Sequence, residues 1–301
     1  MAKTSYTRAI SDDQATALEA MLRTEGFEFR ERPYAKFSAG KGKLNITVYE
    51  KGPKVLIQGK ETEDFVEFRL EPEILGVAEF GYEEVNQPEM FEPHFGIDES
   101  GKGDLFGPLV IAGAYVDANT ARALIDAGVM DSKRINSDGK IRSLAKTIRE
   151  TPGMVCEVLS LGPEKYNALY EKFGNLNRLL AWGHAGVIAN LHKKRPRCPR
   201  GLSDQFANSW VLESALKKRG CEITLEQRTR AEADVAVAAA SILARERFID
   251  WLRDCSKKLG FELPKGVSEG VKAAGRRFLE EKGASQLHLI AKMHFKTAKQ
   301  L

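Results

Sequence analysis

The sequence predicts a two-part chain: a small α+β unit followed by a larger α/β unit whose mixed sheet is flanked by helices. Three observations carry that prediction. Before Lys60, one amphipathic helical segment precedes two short alternating strand segments. From His94 onward, apolar strands give way to an alternation of helix and strand, the pattern of a sheet covered by helices. Between the two, Glu71 to Pro93 is acidic and poorly patterned, broken by Gly81, Pro88 and Pro93, and reads as a linker. The 301 residues accommodate two domains, placed at residues 1–85 and 86–301.

In the first unit, Ser11 to Gly26 carries Ala, Leu and Met at helical spacing, with Ser11 and Asp12 as cap candidates and Gly26 as a stop. Leu44 to Tyr49 alternates apolar and polar residues. Glu50 to Lys54 supplies a Gly-Pro turn, and Val55 to Gln58 completes a hairpin. Phe65 to Leu70 fits helix and strand equally well.

In the second unit, strands are expected at His94–Asp98, Leu109–Val116, Met154–Leu161, Gly201–Phe206 and Cys221–Leu225. Helices are expected at Ala118–Gly128, Ile141–Glu150, Leu176–Lys193, Trp210–Arg219 and Ala233–Lys258, the last Ala-rich in its first half, with further helices at the C-terminal end. Neither internal repeats nor low-complexity tracts occur.

Net charge is only +4, but it is unevenly spread. Arg30 to Lys60 holds eight Lys/Arg against two acids, and Glu61 to Glu92 holds eleven acids against one Arg. The basic stretch is either a phosphate-attracting surface or a solvated charged face. Cys156, Cys198, Cys221 and Cys255 form no Cys-x-x-Cys pair, which argues against a zinc site and fits reduced thiols. No secretory pattern and no apolar run of ~18 residues is present, so a soluble, cytoplasmic protein with no membrane association is expected. Nothing in the sequence calls for an obligate protein partner.

The chemistry concentrates at Phe95-Gly-Ile-Asp98-Glu99-Ser100-Gly101-Lys102-Gly103-Asp104. Asp98 and Glu99 end a strand, where open α/β sheets place their sites. Adjacent strand residues point to opposite faces, so both carboxylates serve one metal only if the strand bends, as Ser100-Gly101 would allow. Oxygen ligands suit Mg²⁺ or Mn²⁺. Glycines at Gly101 and Gly103 admit close backbone approach, and Lys102 adds a charge for a phosphate. A solvated acidic turn is the plainer reading of Asp98-Glu99 alone. Gly96-x-x-x-x-Gly101-Lys102 also approaches a nucleotide-binding loop, but Gly103 stands where Ser or Thr is needed, and two carboxylates inside that loop would repel phosphate. Further acids are Asp204, ending a short strand, and Glu232 and Asp234, which open the Ala-rich helix and are also plausible helix caps. Asp98, Glu99, Asp204 and one of the last pair would supply four carboxylates for two metal ions ~4 Å apart.

Gly96 to Leu109 resembles the signature of type 2 ribonucleases H, and specifically of the bacterial ribonuclease HIII family. Asp131-Ser132-Lys133, Asn175 to His184, Ser203-Asp204-Gln205-Phe206, Ala238 to Arg245, Leu263 to Gly266 and Ala291 to Thr297 resemble it too. The similarity spans roughly Phe95 to Thr297. It is weaker in Tyr49 to Gly52 and Ile57 to Lys60, which resemble a substrate-binding domain similar in fold to the TATA-binding protein.

The resemblance implies a ribonuclease H-like fold and an endonuclease that cuts the RNA strand of RNA/DNA hybrids with two Mg²⁺ or Mn²⁺ ions. The products would carry 5′-phosphate and 3′-hydroxyl ends. The family's acids map onto Asp98, Glu99, Asp204 and Glu232, with Asp234 the alternative fourth acid; the sister ribonucleases HII carry Asp there, and the Ala231-Glu232 pair favours Glu232. Substrate contacts map onto Ser100, Gly101, Lys102, Gly103, Lys133, Lys292 and His294, the glycine backbone reading 2′-hydroxyls across the shallow minor groove. Asn175 and Asn177 are read as helix caps, His184 as a core residue and Tyr49 as a strand aromatic. Lys41, Lys43, Lys51, Lys54 and Lys60 would supply salt-dependent binding. Two alternatives stay open: incision at single ribonucleotides in duplex DNA, and a non-catalytic nucleic-acid binding module.

Overall fold

The computed structural model describes residues 4–77, 87–129, 132–229 and 231–301, and for Arg134 the backbone alone. It separates into two compact units, Met1–Glu89 and Met90–Leu301. The boundary expected at 85/86 and the breaker Gly81 lie outside the described residues.

The first unit is a five-stranded antiparallel sheet in the order β1-β5-β4-β3-β2: β1 (Ser5–Ala9), β2 (Glu28–Arg30), β3 (Ala35–Lys41), β4 (Leu44–Tyr49) and β5 (Lys54–Gln58). Helix α1 (Asp12–Thr24) starts as expected, in a capping box: Ser11 Oγ accepts from the Gln14 N–H, and the Gln14 side chain accepts from the Ser11 N–H. Leu18 and Leu22 of α1 pack with Ile46, Val48, Val55 and Ile57. A second helix, α2 (Thr62–Phe65), continues as π-helical turns over Val66–Leu75, and its Phe65, Val66 and Leu70 enter the same core. The ambiguous stretch is therefore helical. The expected linker starts too early, because the helix runs to a left-handed Gly76 and Glu71 is buried within it. The sheet face away from this core carries Asn45, Thr47 and Tyr49, with Arg32 donating to Thr47 Oγ1 and lying 6.0 Å above the Tyr49 ring.

The second unit is built on a mixed sheet in the order β10-β9-β6-β7-β8: β6 (His94–Ser100), β7 (Leu109–Val116), β8 (Val155–Leu161), β9 (Arg200–Asp204) and β10 (Thr224–Arg228). β6 is antiparallel to β7 and parallel to β9. The remaining helices are α3 (Ala118–Asp126), α4 (Asp138–Glu150), α5 (Pro163–Phe173), α6 (Leu176–Lys194), α7 (Ser209–Lys217), α8 (Val235–Leu259) and α9 (Glu269–Lys282). β7 is buried along its whole length, as its unbroken apolar run demands. Its even-numbered residues join α3, α4, α8 and α9 in one core, and Leu109, Ile111 and Tyr115 join α5, α6 and α7 in another. Strand β10 lies three residues beyond its expected start, because pairing with β9 and not its own weak pattern selects it.

One contact fixes the geometry of the centre. The first turn of α8 rests directly on β6 at Gly96, where a Cβ would stand 2.1 Å from the Ala236 carbonyl carbon and 2.2 Å from the Val237 nitrogen. Only glycine lets these backbones meet.

Candidate active site

Alternation along β6 sends His94, Gly96 and Asp98 toward α8 and Phe95, Ile97 and Glu99 toward α6. The ladder to β7 runs unbroken through Ser100↔Val110. The expected bend that would turn both carboxylates to one side is therefore missing from the strand. The chain turns at Gly101, whose φ is +83° and where a Cβ would meet Pro108 O at 2.2 Å.

Asp98 is short of positive charge. Its Oδ1 accepts from the Glu99 N–H at 2.8 Å, and Ser241 of α8 hydrogen-bonds its carboxylate. The Ser241 hydroxyl is 2.7 Å from that of Ser132, whose carbonyl accepts from Arg245, so the Ser132-Lys133 block and the Ala-rich helix meet behind Asp98. Burial and the charge of Glu99 push the Asp98 carboxyl up to about 7, against the smaller opposing pull of Ser241, the Glu99 N–H and the Lys133 charge.

Glu99 is the reverse case. His184 Nε2 donates to its Oε2 at 3.1 Å and Lys102 Nζ to its Oε1 at 3.2 Å. Burial alone would raise its pKa, but His184 and Lys102 together outweigh it and hold the carboxyl down at about 2. His184 is fully buried, as expected, yet it is the partner of a site carboxylate and not only a core residue. A physical signal was present in the sequence: a histidine on the apolar face of a helix needs a buried acceptor, and Glu99 is an acid on the strand face that α6 covers.

The other acids arrange around Asp98. β9 pairs with β6 through Ile97↔Ser203, so the next residue, Asp204, ends its strand alongside Asp98. By alternation it shares the face of Leu202, which packs on Val237 of α8. Glu232 lies in a short 3-10 turn before α8, with Lys133 Nζ 3.6 Å from its Oε1. Asp234 is fully engaged elsewhere. It caps α8 by accepting from the Ala236 and Val237 N–H groups, and His94 Nε2 lies 3.0 Å from both of its carboxylate oxygens.

The expected substrate residues divide. Ser100 and Lys102 are half-buried at the strand end, Gly103 is exposed with nothing within 4 Å of a would-be Cβ, and Lys133 is exposed. Lys292 does not reach the surface. It is 0% exposed, and its Nζ donates to the carbonyls of Asp104 at 2.9 Å and Phe106 at 3.5 Å. The reason is a clamp: Gly107 N–H donates to Ile290 O and Lys292 N–H to Leu105 O, so the C-terminal segment grips the Gly-rich loop. Burial pushes the Lys292 amine down to about 7 against the opposing charge of Asp104. His294 is half-buried and stacks on Tyr170 at 4.2 Å. Asp131 of the Asp-Ser-Lys block lies outside the described residues. Asn175 caps α6 as expected, accepting from the Asn177 and Arg178 N–H groups, whereas Asn177 is inside the helix.

No three His, Cys, Asp or Glu side chains converge tightly enough to hold a metal ion among the described residues. The donor set nevertheless fits a hard divalent cation. It is all carboxylate, and one cation, the Lys133 ammonium, already pairs with Glu232 and draws on Asp98.

Comparison with known proteins accords with this arrangement. The ribonuclease HII family model matches residues 95–298. The ribonuclease HIII of Protochlamydia amoebophila (strain UWE25) is 46% identical over 276 residues, 92% of this chain and 89% of that one. That of Chlamydia felis (strain Fe/C-56) is 44% identical over 296 residues, 98% and 96% of the two chains. Among solved structures, Bst-RNase HIII in complex with Mn²⁺ superposes with a TM-score of 0.67 at 29% identity, covering 99% of this chain and 97% of that one. A five-stranded sheet with two antiparallel and two parallel strand pairs, two acids at the end of its central strand and near full-length similarity converge: this chain belongs to the type 2 ribonuclease H family, with the ribonucleases HIII.

Proposed function

We propose that the end of β6 is where the RNA strand of an RNA/DNA hybrid is hydrolysed, with Asp98, Glu99, Asp204 and Glu232 as the acidic set. The observation that carries this reading is the placement of Asp98: a partly buried carboxylate at the end of the central strand, beside Glu99 and alongside Asp204, which burial and the Glu99 charge push up to about 7. Mg²⁺ or Mn²⁺, two ions held by these four acids, would supply that charge, activate the attacking water and stabilise the leaving 3′ oxygen. Asp98, between the faces of Glu99 and Glu232, is the acid suited to touch both. Ser241 and the Glu99 N–H orient its carboxylate. Glu232 is favoured over Asp234, since Asp234 is consumed by its helix cap and by His94.

The backbone of Gly101, Lys102 and Gly103 reads the 2′-hydroxyl, the open space over Gly103 leaving room for a sugar. Lys102 and Lys133 meet phosphates. Residues 1–85 form a substrate-binding domain, supported by the polar sheet face with Arg32, Thr47 and Tyr49. Cleavage leaves 5′-phosphate and 3′-hydroxyl ends. Among the described residues no helix is long and apolar enough to cross a membrane, and the cysteines are free thiols, which supports a cytoplasmic site of action.

The test compares an all-RNA strand with a single embedded ribonucleotide, each in duplex with DNA, for the parent and for Glu232→Ala and Asp234→Ala. Expected is preference for the all-RNA strand. Glu232→Ala loses turnover at parental stability, and Asp234→Ala loses stability first. Preferential incision at the single ribonucleotide would overturn the substrate assignment.

A further inference from the structure

A cavity of about 1130 Å³ lies between the α5–α6 junction, the loop after β9 and α7, and cleavage as described makes no use of it. Among the described residues its lining carries four cations, Lys172, Arg178, Lys218 and Arg219, and no carboxylate. Aromatic faces are interleaved with them. Trp182 forms part of the wall, with the Phe173 ring 6.0 Å away and the Arg219 guanidinium 5.4 Å from its centroid. Trp210, in the first turn of α7, is 63% exposed, a large apolar surface left open beside cations. Phe206 lines the cavity and also packs beside the candidate site: its ring is 4.7 Å from that of His184, the partner of Glu99, and 6.0 Å from Lys102 Nζ. The cavity is thus separated from His184 and Lys102 by the one ring of Phe206.

Cations without acids fit a polyanion, and exposed ring faces fit unstacked bases; the two together are the chemistry of a single-stranded nucleic-acid groove. A duplex offers its phosphates but hides its base faces, so it would leave Trp210 unused. We propose that this cavity binds a single-stranded polynucleotide continuing from the hybrid, one base stacked on Trp210 and the phosphates following Arg178, Lys218 and Arg219. The placement rests on the hybrid-cleavage reading, because the tail would reach the cavity past Phe206 from a hybrid seated at the end of β6.

The test uses the full chain carrying Asp98→Asn, so that substrate survives. Binding of a blunt RNA/DNA hybrid and of the same hybrid with a single-stranded tail is measured by fluorescence anisotropy, and the ratio of the two affinities is the readout. A general loss of folding or of duplex binding divides out. The tail is expected to tighten binding and to quench tryptophan fluorescence. Trp210→Ala should cut the tailed-to-blunt ratio by about five- to a hundred-fold, the range for one lost base–aromatic stack, and Trp210→Phe should restore most of it. Arg178→Glu with Lys218→Glu should abolish the gain and flatten its salt dependence. A tail that adds nothing, or a gain that survives Trp210→Ala and the double charge reversal, overturns the proposal. Polyglutamate that competes with the tail and quenches equally would also overturn it, assigning the groove to acidic protein. Failure of the cleavage reading shows separately, as a parent chain that neither binds nor cuts the blunt hybrid.

Discussion

Asp98 and Glu99 are joined by one peptide bond, yet they face opposite sides of the same sheet and live under opposite electrostatics. On the α8 side, Asp98 has a serine hydroxyl, a backbone N–H and the outlying charge of Lys133. On the α6 side, Glu99 is gripped by His184 and Lys102. Both are partly buried and desolvation raises both, so it does not separate them; their partners do. The protein itself neutralises one acid and leaves the other in deficit. On the proposed reading, a divalent cation would gain most at Asp98, while Glu99 already has its orientation set by His184 and Lys102.

The largest expected effect that tests this contrast is Asp98→Asn. Cleavage should fall by several orders of magnitude while hybrid binding persists. Because the folded-state pKa of Asp98 lies above that of an ordinary carboxyl, folding favours the protonated acid, and stability is lost as pH rises toward 7. The amide is neutral throughout, so without metal the variant should melt above the parent at pH 8 and near it at pH 4; Mn²⁺ should raise the parent's melting temperature alone. A variant that melts lower at pH 8 breaks the comparison. Next comes His184→Ala, which strips Glu99 of a buried partner. A loss of about 10–100-fold in turnover is expected, with weaker metal dependence, as for other residues that orient a ligand. An unchanged metal titration would make His184 a packing residue only.

Ser241→Ala is smaller, since it removes one hydrogen bond worth about 1 kcal/mol. Its sign is diagnostic. Ser241 favours ionised Asp98, so the acid limb of the cleavage–pH profile should move to higher pH, whereas a packing defect would lower activity at every pH. The smallest effect concerns Lys292, a buried amine of the C-terminal segment that grips the loop. Its folded-state pKa, lowered to about 7, means that the unfolded chain binds the extra proton between that value and the ordinary lysine range. Parental stability should thus rise relative to Lys292→Met between pH 7 and 9, measured by urea unfolding. A flat difference would mean that the amine stays charged in the fold.

Much of this site was legible in the residues. The strand Leu109–Val116, the capped start of α1, and Asp98-Glu99 at a strand end follow from pattern and cap chemistry acting over a few residues. Long-range pairing was not legible. Lys292 was expected to meet substrate because nothing local reveals that Asp104 and Phe106 present carbonyls to it from 188 and 186 residues away. His184 was recognised as buried, but its partner sits 85 residues earlier. β3, Ala-Lys-Phe-Ser-Ala-Gly-Lys, has weak intrinsic strand character and exists because β2 and β4 flank it. Asp234 shows the same limit in reverse: a cap role was legible, but not the His94 contact that commits it.

The glycine beneath α8 has a mechanical meaning. Side chains in contact can yield by changing rotamer, but the backbones of Gly96, Ala236 and Val237 have no such freedom. The helix that carries Ser241 and follows Glu232 is seated on the strand that carries Asp98 like a bearing with no clearance. A single added methyl group at residue 96 would lift that seat by more than about 1 Å, while a catalytic constellation tolerates roughly 0.5 Å. Gly96 thus sets the machining tolerance of a jaw whose two halves come from segments about 140 residues apart.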